Sequence, residues 1–288
     1  MAPLFKQMTI AGVGLIGGSL ASIARREGLV ERIVGLGRSQ TNLDVAVERG
    51  MLDAATRDPA EAARGADLVV LAVPILSMRP TLERMRAYLK PDAVITDVGS
   101  VKGWVVRELK PLLPTGVALV AAHPVAGKET VGAASADPEL FRGRRVIITP
   151  SAKSTADAIA KVEALWTAAG ACVIRMEPDL HDAILARASH LPQIVASVLA
   201  AVLAEERVGG LLAADFGASG LRDTTRLAGS SWEIWRDIFI SNRDAIVDAL
   251  HLFGSAIEEF QELLEIGDLT GLERLFNRGR AMREKLVQ

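Results

Sequence analysis

Short β-rich runs alternate with helical patterns from the start of the chain to about residue 176. The β-rich runs are apolar almost throughout, which is typical of strands buried on both faces of a parallel sheet. Strands are predicted at 7–12, 32–36, 67–73, 93–97, 117–122, 145–149 and 171–175. Helices are predicted at 15–27, 41–50, 76–88, 101–112 and 154–169. The alternation predicts an α/β domain with a doubly wound parallel sheet.

The pattern changes after the segment MEPDLHD at 176–182. From there on, apolar residues recur at helical spacing and no β-rich run interrupts them. Helices are predicted at 179–206, 209–214, 219–228, 231–265 and 268–287. We therefore predict two domains, an α/β domain over 1–176 and an all-helical domain over 177–288. This layout suggests a cofactor in the first domain, with substrate and subunit contacts in the second.

The charge balance argues against nucleic acid as a partner. Lys and Arg together number 33, against 35 Asp and Glu, so the chain has no basic field. The single cysteine, Cys172, cannot form an internal disulfide or a cysteine metal cluster, and this composition suits a reducing cytoplasm. Cys172 lies in the apolar run GACVIRM, which we interpret as a buried strand.

Two apolar stretches resemble targeting or membrane segments, and we interpret neither as one. The first follows Lys6, but it contains a glycine pattern and no clean cleavage site follows it. The second, 191–204, contains Pro192 and Gln193 and is too short to span a bilayer. We therefore expect a cytoplasmic protein with no membrane partner.

A glycine-rich turn follows the first predicted strand. In TIAGVGLIGGSLA, Gly12, Gly14 and Gly17 have the spacing G-x-G-x-x-G between a strand and a helix. The first glycine permits a tight turn, the second lets the backbone approach a pyrophosphate, and the third allows close helix–strand packing. The helix N-terminus attracts the negative charge. In this setting the turn indicates a dinucleotide site in a Rossmann-type domain; a plain glycine-rich turn is the alternative.

The end of the second predicted strand discriminates between NAD and NADP. NAD-binding domains carry an acidic residue about 20 positions after the glycine turn, where it binds the ribose 2′-hydroxyl. At that distance from Gly17 the chain has Gly37, followed by Arg38 and Ser39, and no carboxylate appears before Asp44. An arginine without a carboxylate suits the 2′-phosphate of NADP. NADP is therefore favoured, and NAD is the alternative if Arg38 only stacks on adenine.

Three predicted strand ends carry residues suited to chemistry, at the edge where open α/β sheets bind ligands. They are Pro74, Ser100 and His123. Because the last two follow consecutive strands, the serine hydroxyl could fix the imidazole ring and its tautomer. The imidazole could then take a proton from a substrate hydroxyl. The alternative is that His123 caps a loop and Ser100 caps a helix, and spacing alone favours neither.

The helical domain contains a second polar cluster. His190 lies in RASHLPQ, and the segment at 219–239 carries charged and aromatic side chains, namely Arg222, Asp223, Arg226, Trp232, Trp235 and Arg236. An arginine can bind a carboxylate through two parallel hydrogen bonds. The segment is therefore either an anionic-substrate site that faces the sheet or a solvated helix with a tryptophan core.

Five motifs together resemble those of the prephenate and arogenate dehydrogenases, which catalyse the oxidative step of tyrosine biosynthesis. They are GVGLIGGS, DVGSVKG, HPVAGKE, SHLPQ and RDTTRLAGSSWEIWRDIF, in that order over residues 8 to about 243. The resemblance implies a nucleotide-binding domain followed by a helical domain that forms a homodimer. It also implies an NAD(P)-dependent oxidoreductase that converts prephenate or arogenate to 4-hydroxyphenylpyruvate or tyrosine without a metal.

The resemblance further implies roles for single residues. His123 is expected to accept the hydrogen bond or proton of the ring hydroxyl, and Ser100 to hold histidine and substrate near the nicotinamide. Arg226 is expected to anchor a substrate carboxylate, with Glu129 at the mouth of the site and His190 near the substrate side chain. Asp223 and Trp235 are expected at nearby pocket positions. The expected cofactor residues are Gly12, Gly14, Leu15, Ile16, Gly17, Arg38, Ser39, Val73 and Pro74.

Two other functions remain open at this point. One is an NADP-dependent reductase of an imine or a β-hydroxyacid, with the same sheet and a helical second domain. Prephenate turnover with release of carbon dioxide separates it from the dehydrogenase. The other is a non-catalytic module that senses NADP and uses its helices to bind a partner, in which case the nucleotide binds without turnover.

Overall fold

An eight-stranded sheet forms the N-terminal part of the computed structural model, which describes residues 2–128 and 130–286. The strands are β1 (Phe5–Ala11), β2 (Val30–Leu36), β3 (Ala54–Thr56), β4 (Leu68–Leu71), β5 (Val94–Asp97), β6 (Ala118–Pro124), β7 (Arg145–Pro150) and β8 (Cys172–Arg175). Their order is β3-β2-β1-β4-β5-β6-β7-β8. Neighbouring strands are parallel except β6 and β7, so β7 and β8 run opposite to the others. All seven predicted strands are present. The eighth strand, β3, was not predicted because its three residues are too few to show the alternation of a strand.

Six helices cover the two faces of the sheet. They are α1 (Leu15–Arg26), α2 (Gln40–Glu48), α3 (Pro59–Ala63), α4 (Ile75–Met85), α5 (Lys102–Leu109) and α6 (Ala156–Ala168). One core contains side chains of α1, α2 and α6, and the other contains those of α3, α4 and α5. In β4, Leu68 and Val70 face the first core while Val69 and Leu71 face the second. This two-sided burial explains the continuous apolar runs and confirms the predicted doubly wound sheet.

From Pro178 onward the described chain is helical apart from one short hairpin. The helices are α7 (Pro178–Leu185), α8 (Leu191–Glu205), α9 (Ser219–Thr225), α10 (Trp232–Ser241), α11 (Arg243–Glu265) and α12 (Leu269–Leu286). The hairpin pairs β9 (Arg207–Val208) with β10 (Leu211–Leu212). The predicted helix at 209–214 was therefore wrong. Gly209 and Gly210 have φ angles of 60° and 86°, which a two-residue hairpin turn requires and a helix does not allow.

Two irregularities in the helical part also escaped prediction. A π-helical turn, Ala186–His190, joins α7 to α8. Pro192 at the start of α8 lacks an N–H group and crowds the carbonyl four residues earlier, and the widened turn accommodates it. Asn242, with φ −120° and ψ 28°, divides the predicted helix over 231–265 into α10 and α11. The two irregularities are in contact, since Asn242 Nδ2 lies 3.2 Å from Nδ1 of His190.

The helical part packs on the carboxyl edge of the sheet. Asp237 of α10 is buried, and it accepts a hydrogen bond from the Leu76 amide at the start of α4 (3.3 Å). Asp182 of α7 accepts hydrogen bonds from the amides of Lys102 and Gly103 at the start of α5 (2.7 and 2.8 Å). Since α4 and α5 follow β4 and β5, these contacts place the helices over the edge where such sheets bind ligands.

Two expectations were wrong, one about the exposure of Cys172 and one about the length of an apolar helix. Cys172 is exposed, because β8 is the outermost strand of the sheet. The segment 191–204 is part of a continuous run, Pro178–Glu205, which by length and composition alone could cross a membrane. The helix continues through Pro192, so the argument from length fails. The run also carries His181 and His190, which are buried in polar contacts within the protein.

Candidate active site

The glycine turn between β1 and α1 has the geometry that its spacing predicts. Gly12 has a φ of 99°, and a Cβ there would lie 2.3 Å from the carbonyl oxygen of Ala72. A Cβ on Gly17 would lie 2.3 Å from the carbonyl oxygen of Gly12, so glycine is needed for α1 to pack this closely. Gly14, the residue before α1, faces open space. Since no side chain caps α1 and its first turn has no acidic residue, its first amides are available to a phosphate.

A cavity of about 1160 Å³ opens in front of this turn. The predicted cofactor residues that line it are Gly12, Gly14, Arg38, Ser39, Val73 and Pro74. The side chain of Leu15 is buried in the core and that of Ile16 packs against the core. These two residues are therefore able to reach a phosphate only through their backbone amides. The open face of Gly14 and the free start of α1 fit a dinucleotide.

Three arginines line this cavity, and all three are exposed. They are Arg38, Arg57 and Arg84, and none of them forms an ion pair with another described residue. Asp44, the first carboxylate after β2, accepts a hydrogen bond from Gln40 (2.8 Å). The described lining of this cavity therefore contains cationic groups and no carboxylate. Arg57 and Arg84 were not predicted, because only the fold brings them beside Arg38.

Ser39 and Asn42 shape the same end of the cavity. The Ser39 hydroxyl accepts a hydrogen bond from the Asn42 amide (3.3 Å) and caps α2. The Asn42 side chain donates from Nδ2 to the carbonyl of Val13 (2.6 Å) and accepts at Oδ1 from the amide of Ala133 (2.8 Å). Asn42 therefore ties the glycine turn to the loop after β6, a role that its sequence position did not indicate.

A buried ion pair supports the ends of β5 and β6. Asp97 and Lys102 are fully buried, and Lys102 Nζ donates to Asp97 Oδ2 and to the carbonyl oxygen of Ala122 (2.8 Å for the latter). The Asp97 carboxylate also accepts hydrogen bonds from the amides of Ala122 (3.1 Å) and Gly99 (2.8 Å). The pair therefore fixes the chain immediately before His123.

Ser100 and His123 lie at the ends of neighbouring strands, but no hydrogen bond joins their side chains. The Nδ1 atom of His123 instead lies 2.8 Å from Nε2 of His181, and Nδ1 of His181 lies 2.7 Å from Oδ1 of Asp182. These two residues of α7 were not predicted. They are 58 and 59 positions beyond His123, and the sequence alone gives no reason to bring them to it.

The surroundings of His123 keep its imidazole neutral. The residue is 8% exposed. Burial, and after it the positive charge of Lys102, holds the pKa of His123 well below its ordinary value of 6.5. Its Nε2 atom has no hydrogen-bond partner among residues 2–128 and 130–286. The ring is thus able to accept a hydrogen bond or a proton at neutral pH.

His190 joins the same network through Asn242. Nδ2 of Asn242 donates to the carbonyl of Asp182 (3.0 Å) and lies 3.2 Å from Nδ1 of His190. Burial lowers the pKa of His190 to about 4, so this ring is also neutral. Trp235 lies edge-on to it, with ring centroids 5.8 Å apart. The structure therefore places two of the predicted substrate residues, His190 and Trp235, next to each other.

Arg226 lies on a short turn that packs beside this network. It is exposed and begins the 3₁₀ turn Arg226–Gly229. Gln193 Nε2 donates to the carbonyl of Leu227 (2.8 Å), so the turn is held against α8 within one helical turn of His190. The contact therefore joins the SHLPQ motif to the turn that carries Arg226.

Two of the predicted substrate residues remain, Asp223 and Glu129. Asp223 is exposed on α9, and its side chain forms no hydrogen bond or ion pair with another described residue. Glu129 lies outside the described residues. Within the described ranges no group of three His, Cys, Asp or Glu side chains has the arrangement needed to hold a metal ion.

A dinucleotide cavity and a neutral imidazole under a helical second domain define a nicotinamide-dependent dehydrogenase. Residues 20–175 match the family model of the prephenate dehydrogenase nucleotide-binding domain, and residues 177–278 match that of the prephenate dehydrogenase dimerization domain. The chain belongs to the prephenate dehydrogenase family, whose members are oxidoreductases. This resemblance over both domains favours the dehydrogenase over the imine and β-hydroxyacid reductases.

Individual relatives resemble this chain over most of its length. The chain is 33% identical to the cyclohexadienyl dehydrogenase of Zymomonas mobilis over 266 residues. The matched region covers 92% of this chain and 90% of that protein. The prephenate dehydrogenase of A. aeolicus, solved with hydroxyphenyl propionate and NAD+, superposes with a TM-score of 0.91 at 31% identity over 98% of each chain. The arogenate dehydrogenase of Synechocystis has a TM-score of 0.86 at 29% identity over 97% of this chain and 99% of that one.

Proposed function

We propose that this chain oxidises and decarboxylates prephenate, arogenate or both, with NADP as the favoured cofactor. The observation that carries the proposal is His123, a neutral imidazole at the carboxyl end of β6 whose Nε2 atom has no hydrogen-bond partner among the described residues. A base in this place suits removal of the proton from a substrate hydroxyl. Membership of the prephenate dehydrogenase family supports the reaction class. The assay that tests it measures carbon dioxide and reduced nicotinamide together.

The chemistry that we infer uses few protein groups. Both candidate substrates have a cyclohexadienol ring with a carboxylate on the quaternary carbon. His123 takes the proton of the ring hydroxyl, and the ring carbon that bears this hydroxyl loses its hydrogen as hydride, for which the nicotinamide would supply the acceptor. The bond to the carboxylate then breaks, and its electron pair makes the ring aromatic as carbon dioxide leaves. Arg226 holds a carboxylate of the substrate, so the protein supplies a base, an anchor and orientation.

Arg38 is the residue that we propose reads the 2′-phosphate of NADP. A charge-assisted hydrogen bond to a phosphate contributes about 1.5–3 kcal/mol, or roughly tenfold to a hundredfold in affinity. Arg38→Ala should therefore raise the KM for NADP by that factor and leave the KM for NAD nearly unchanged. Arg86→Ala is the matched control, since Arg86 is exposed but does not line the cavity. Equal losses with both cofactors would show that Arg38 does not bind the phosphate.

Arg226 is the residue that we propose anchors a substrate carboxylate. Such an anchor acts in the ground state and the transition state alike, so its loss raises KM more than it lowers kcat. Arg226→Ala should raise the substrate KM by one to two orders of magnitude, about 1.5–3 kcal/mol, with NADP affinity intact. Arg222→Ala, four positions earlier and also exposed, is the control. Equal damage to cofactor binding would instead indicate that the arginine holds the two domains together.

The helical domain is proposed to form a homodimer. In a single chain, α8 and α11 expose large apolar side chains, namely Val198, Val202, Leu250, Phe253, Ile257, Phe260 and Leu264. The last five recur every three or four residues and form one stripe along α11, as in a helix that packs against another helix. A stable interface of this kind buries on the order of 1,600 Å² or more. Light scattering at micromolar concentration should give the dimer mass, and a monomer mass would contradict the proposal.

We also infer a cytoplasmic location. The support is the exposed thiol of Cys172, which is the only cysteine and therefore has no internal disulfide partner. An unpaired, exposed thiol persists best in a reducing compartment. The proposed dimer would also account for the apolar outer surface of the run Pro178–Glu205, because Val198 and Val202 lie on it.

A further inference from the structure

His181 and Asp182 form a hydrogen-bonded series that starts at Nδ1 of His123. We propose that His181 and Asp182 are positioning residues that hold His123 with its hydrogen on Nδ1 and leave Nε2 as the proton acceptor. The inference rests on the proposed function for its catalytic consequence, and on geometry alone for the arrangement of hydrogens. It concerns residues of α7, which belong to the helical domain, acting on a base that belongs to the sheet.

Asp182 is the fixed end of this series of hydrogen bonds. An ionised carboxylate only accepts hydrogen bonds. Oδ1 of Asp182 accepts from the amide of Lys102 (2.7 Å), and Oδ2 accepts from the amide of Gly103 (2.8 Å). Oδ1 also lies 2.7 Å from Nδ1 of His181. Nδ1 of His181 must therefore carry a hydrogen, because a bare nitrogen would place its lone pair against the carboxylate.

The arrangement of the second ring follows from the first. A neutral imidazole has one donor and one acceptor nitrogen, so Nε2 of His181 is an acceptor when Nδ1 is the donor. This Nε2 atom lies 2.8 Å from Nδ1 of His123, which must then donate. The remaining nitrogen of His123, Nε2, keeps its lone pair. It is also the nitrogen without a partner among the described residues.

This arrangement has a direct consequence for the reaction. With its hydrogen on Nε2, His123 would present a donor to the substrate hydroxyl and could not take the proton. The Asp182 carboxylate is held by the amides at the start of α5, and its backbone carbonyl accepts a hydrogen bond from Asn242. The position of His181 and Asp182 behind His123 therefore also depends on correct docking of the helical domain on the sheet. The two domains therefore assemble the base between them.

Nitrogen NMR of the histidine rings tests the arrangement without any turnover. The chain has four histidines, His123, His181, His190 and His251, so protein labelled with ¹⁵N only at histidine gives few ring signals. Single substitutions assign them. At about pH 8, above the ordinary histidine range, His123 and His181 should both carry their hydrogen on Nδ1. A hydrogen on Nε2 of His123, or a doubly protonated His181, would overturn the inference even if the enzyme proves to be a dehydrogenase.

Two substitutions of His181 test the consequence for catalysis. The amide of His181→Gln reaches about as far as the histidine Nε2 and is able to accept from His123, whereas the shorter amide of His181→Asn reaches only the Asp182 side. His181→Asn should lower kcat by about 10²-fold or more, with the hydrogen of His123 redistributed to Nε2 and the KM for NADP unchanged. His181→Gln should recover at least tenfold of that loss. His251→Gln, at an exposed position on α11, is the control.

The outcomes separate a positioning role from a merely structural one. If His181→Asn keeps the kcat of the unmodified enzyme, His181 does not contribute to proton removal by His123. If the Asn and Gln variants lose kcat equally while His123 keeps its hydrogen on Nδ1, His181 supports the fold rather than the tautomer. Either result overturns the inference. If the unmodified protein shows the predicted hydrogens but turns over no substrate, the proposed function fails and the arrangement stands.

Discussion

Replacing His123 by asparagine is expected to lower kcat by about 10² to 10⁴-fold, the usual contribution of a general base. Asparagine keeps some hydrogen-bonding capacity but cannot take a proton from the substrate hydroxyl. Since His123 does not hold a substrate carboxylate in this account, KM should change little. His251→Asn, at an exposed position of α11, is the matched control and should leave kcat unchanged.

The pH dependence of the same variant gives a second readout. The base works only when it is neutral, so activity is lost as the pH falls through its pKa. Because burial and Lys102 hold the pKa of His123 well below 6.5, the acidic loss in the unmodified enzyme should lie well below that pH. In His123→Asn this limb should disappear. Near-full kcat in the variant, or an unchanged acidic limb, would show that another group is the base.

Replacing Lys102 by methionine is expected to lower the free energy of unfolding by about 3–5 kcal/mol, because it leaves the Asp97 charge buried without its cation. Methionine fills a similar volume, so little of the loss comes from a cavity. The surface pair Lys90–Asp67 is the control: Lys90→Met should cost less than about 1 kcal/mol, since that lysine is 41% exposed. Chemical unfolding measures both.

A double substitution distinguishes charge burial from general disruption. In Asp97→Asn with Lys102→Met no buried charge remains, so part of the stability should return relative to Lys102→Met alone. In the single variant Lys102→Met, loss of the lysine charge should also raise the pKa of His123 and move the acidic loss of activity to higher pH. A single Lys102→Met variant as stable as the unmodified protein would contradict the role given to this pair.

The parts of the site that could be predicted from the sequence are those built within one strand–turn–helix unit. Gly12, Gly14 and Gly17 are defined by spacing, and the close approach of Gly17 to the Gly12 carbonyl lies within this unit. The contact of Gly12 with Ala72 comes instead from the end of the neighbouring strand β4. Arg38 was also predictable, because it follows the second strand directly. The same locality explains why the strands and most helices were predicted to within a few residues.

The parts that could not be predicted depend on contacts between distant segments. An apolar run looks the same in either direction, so the antiparallel pairing of β7 with β6 left no trace in the pattern. His181 meets His123 across 58 positions, and Asn242 meets Asp182 across 60. Asn242 also lies in an otherwise helical pattern, which concealed the break that brings its side chain into the network.

The hairpin at 207–212 shows a different kind of failure. Its two glycines are a strong local turn signal, but the apolar residues around them, Val208 and Leu211, also fit a helical period. Two consecutive glycines favour a turn in which both residues have positive φ, and that conformation excludes a helix. Here the turn signal of the glycines outweighs the helical spacing of the apolar residues.

The most direct test of the central claim is a steady-state assay of the unmodified enzyme with prephenate and arogenate, each crossed with NADP and NAD, in which carbon dioxide is measured beside the reduced cofactor. The account predicts turnover of at least one of the two substrates, one carbon dioxide for each cofactor reduced, and a higher kcat/KM with NADP than with NAD. Binding of the nucleotide without turnover of either substrate, or reduction of the cofactor without carbon dioxide, would contradict it.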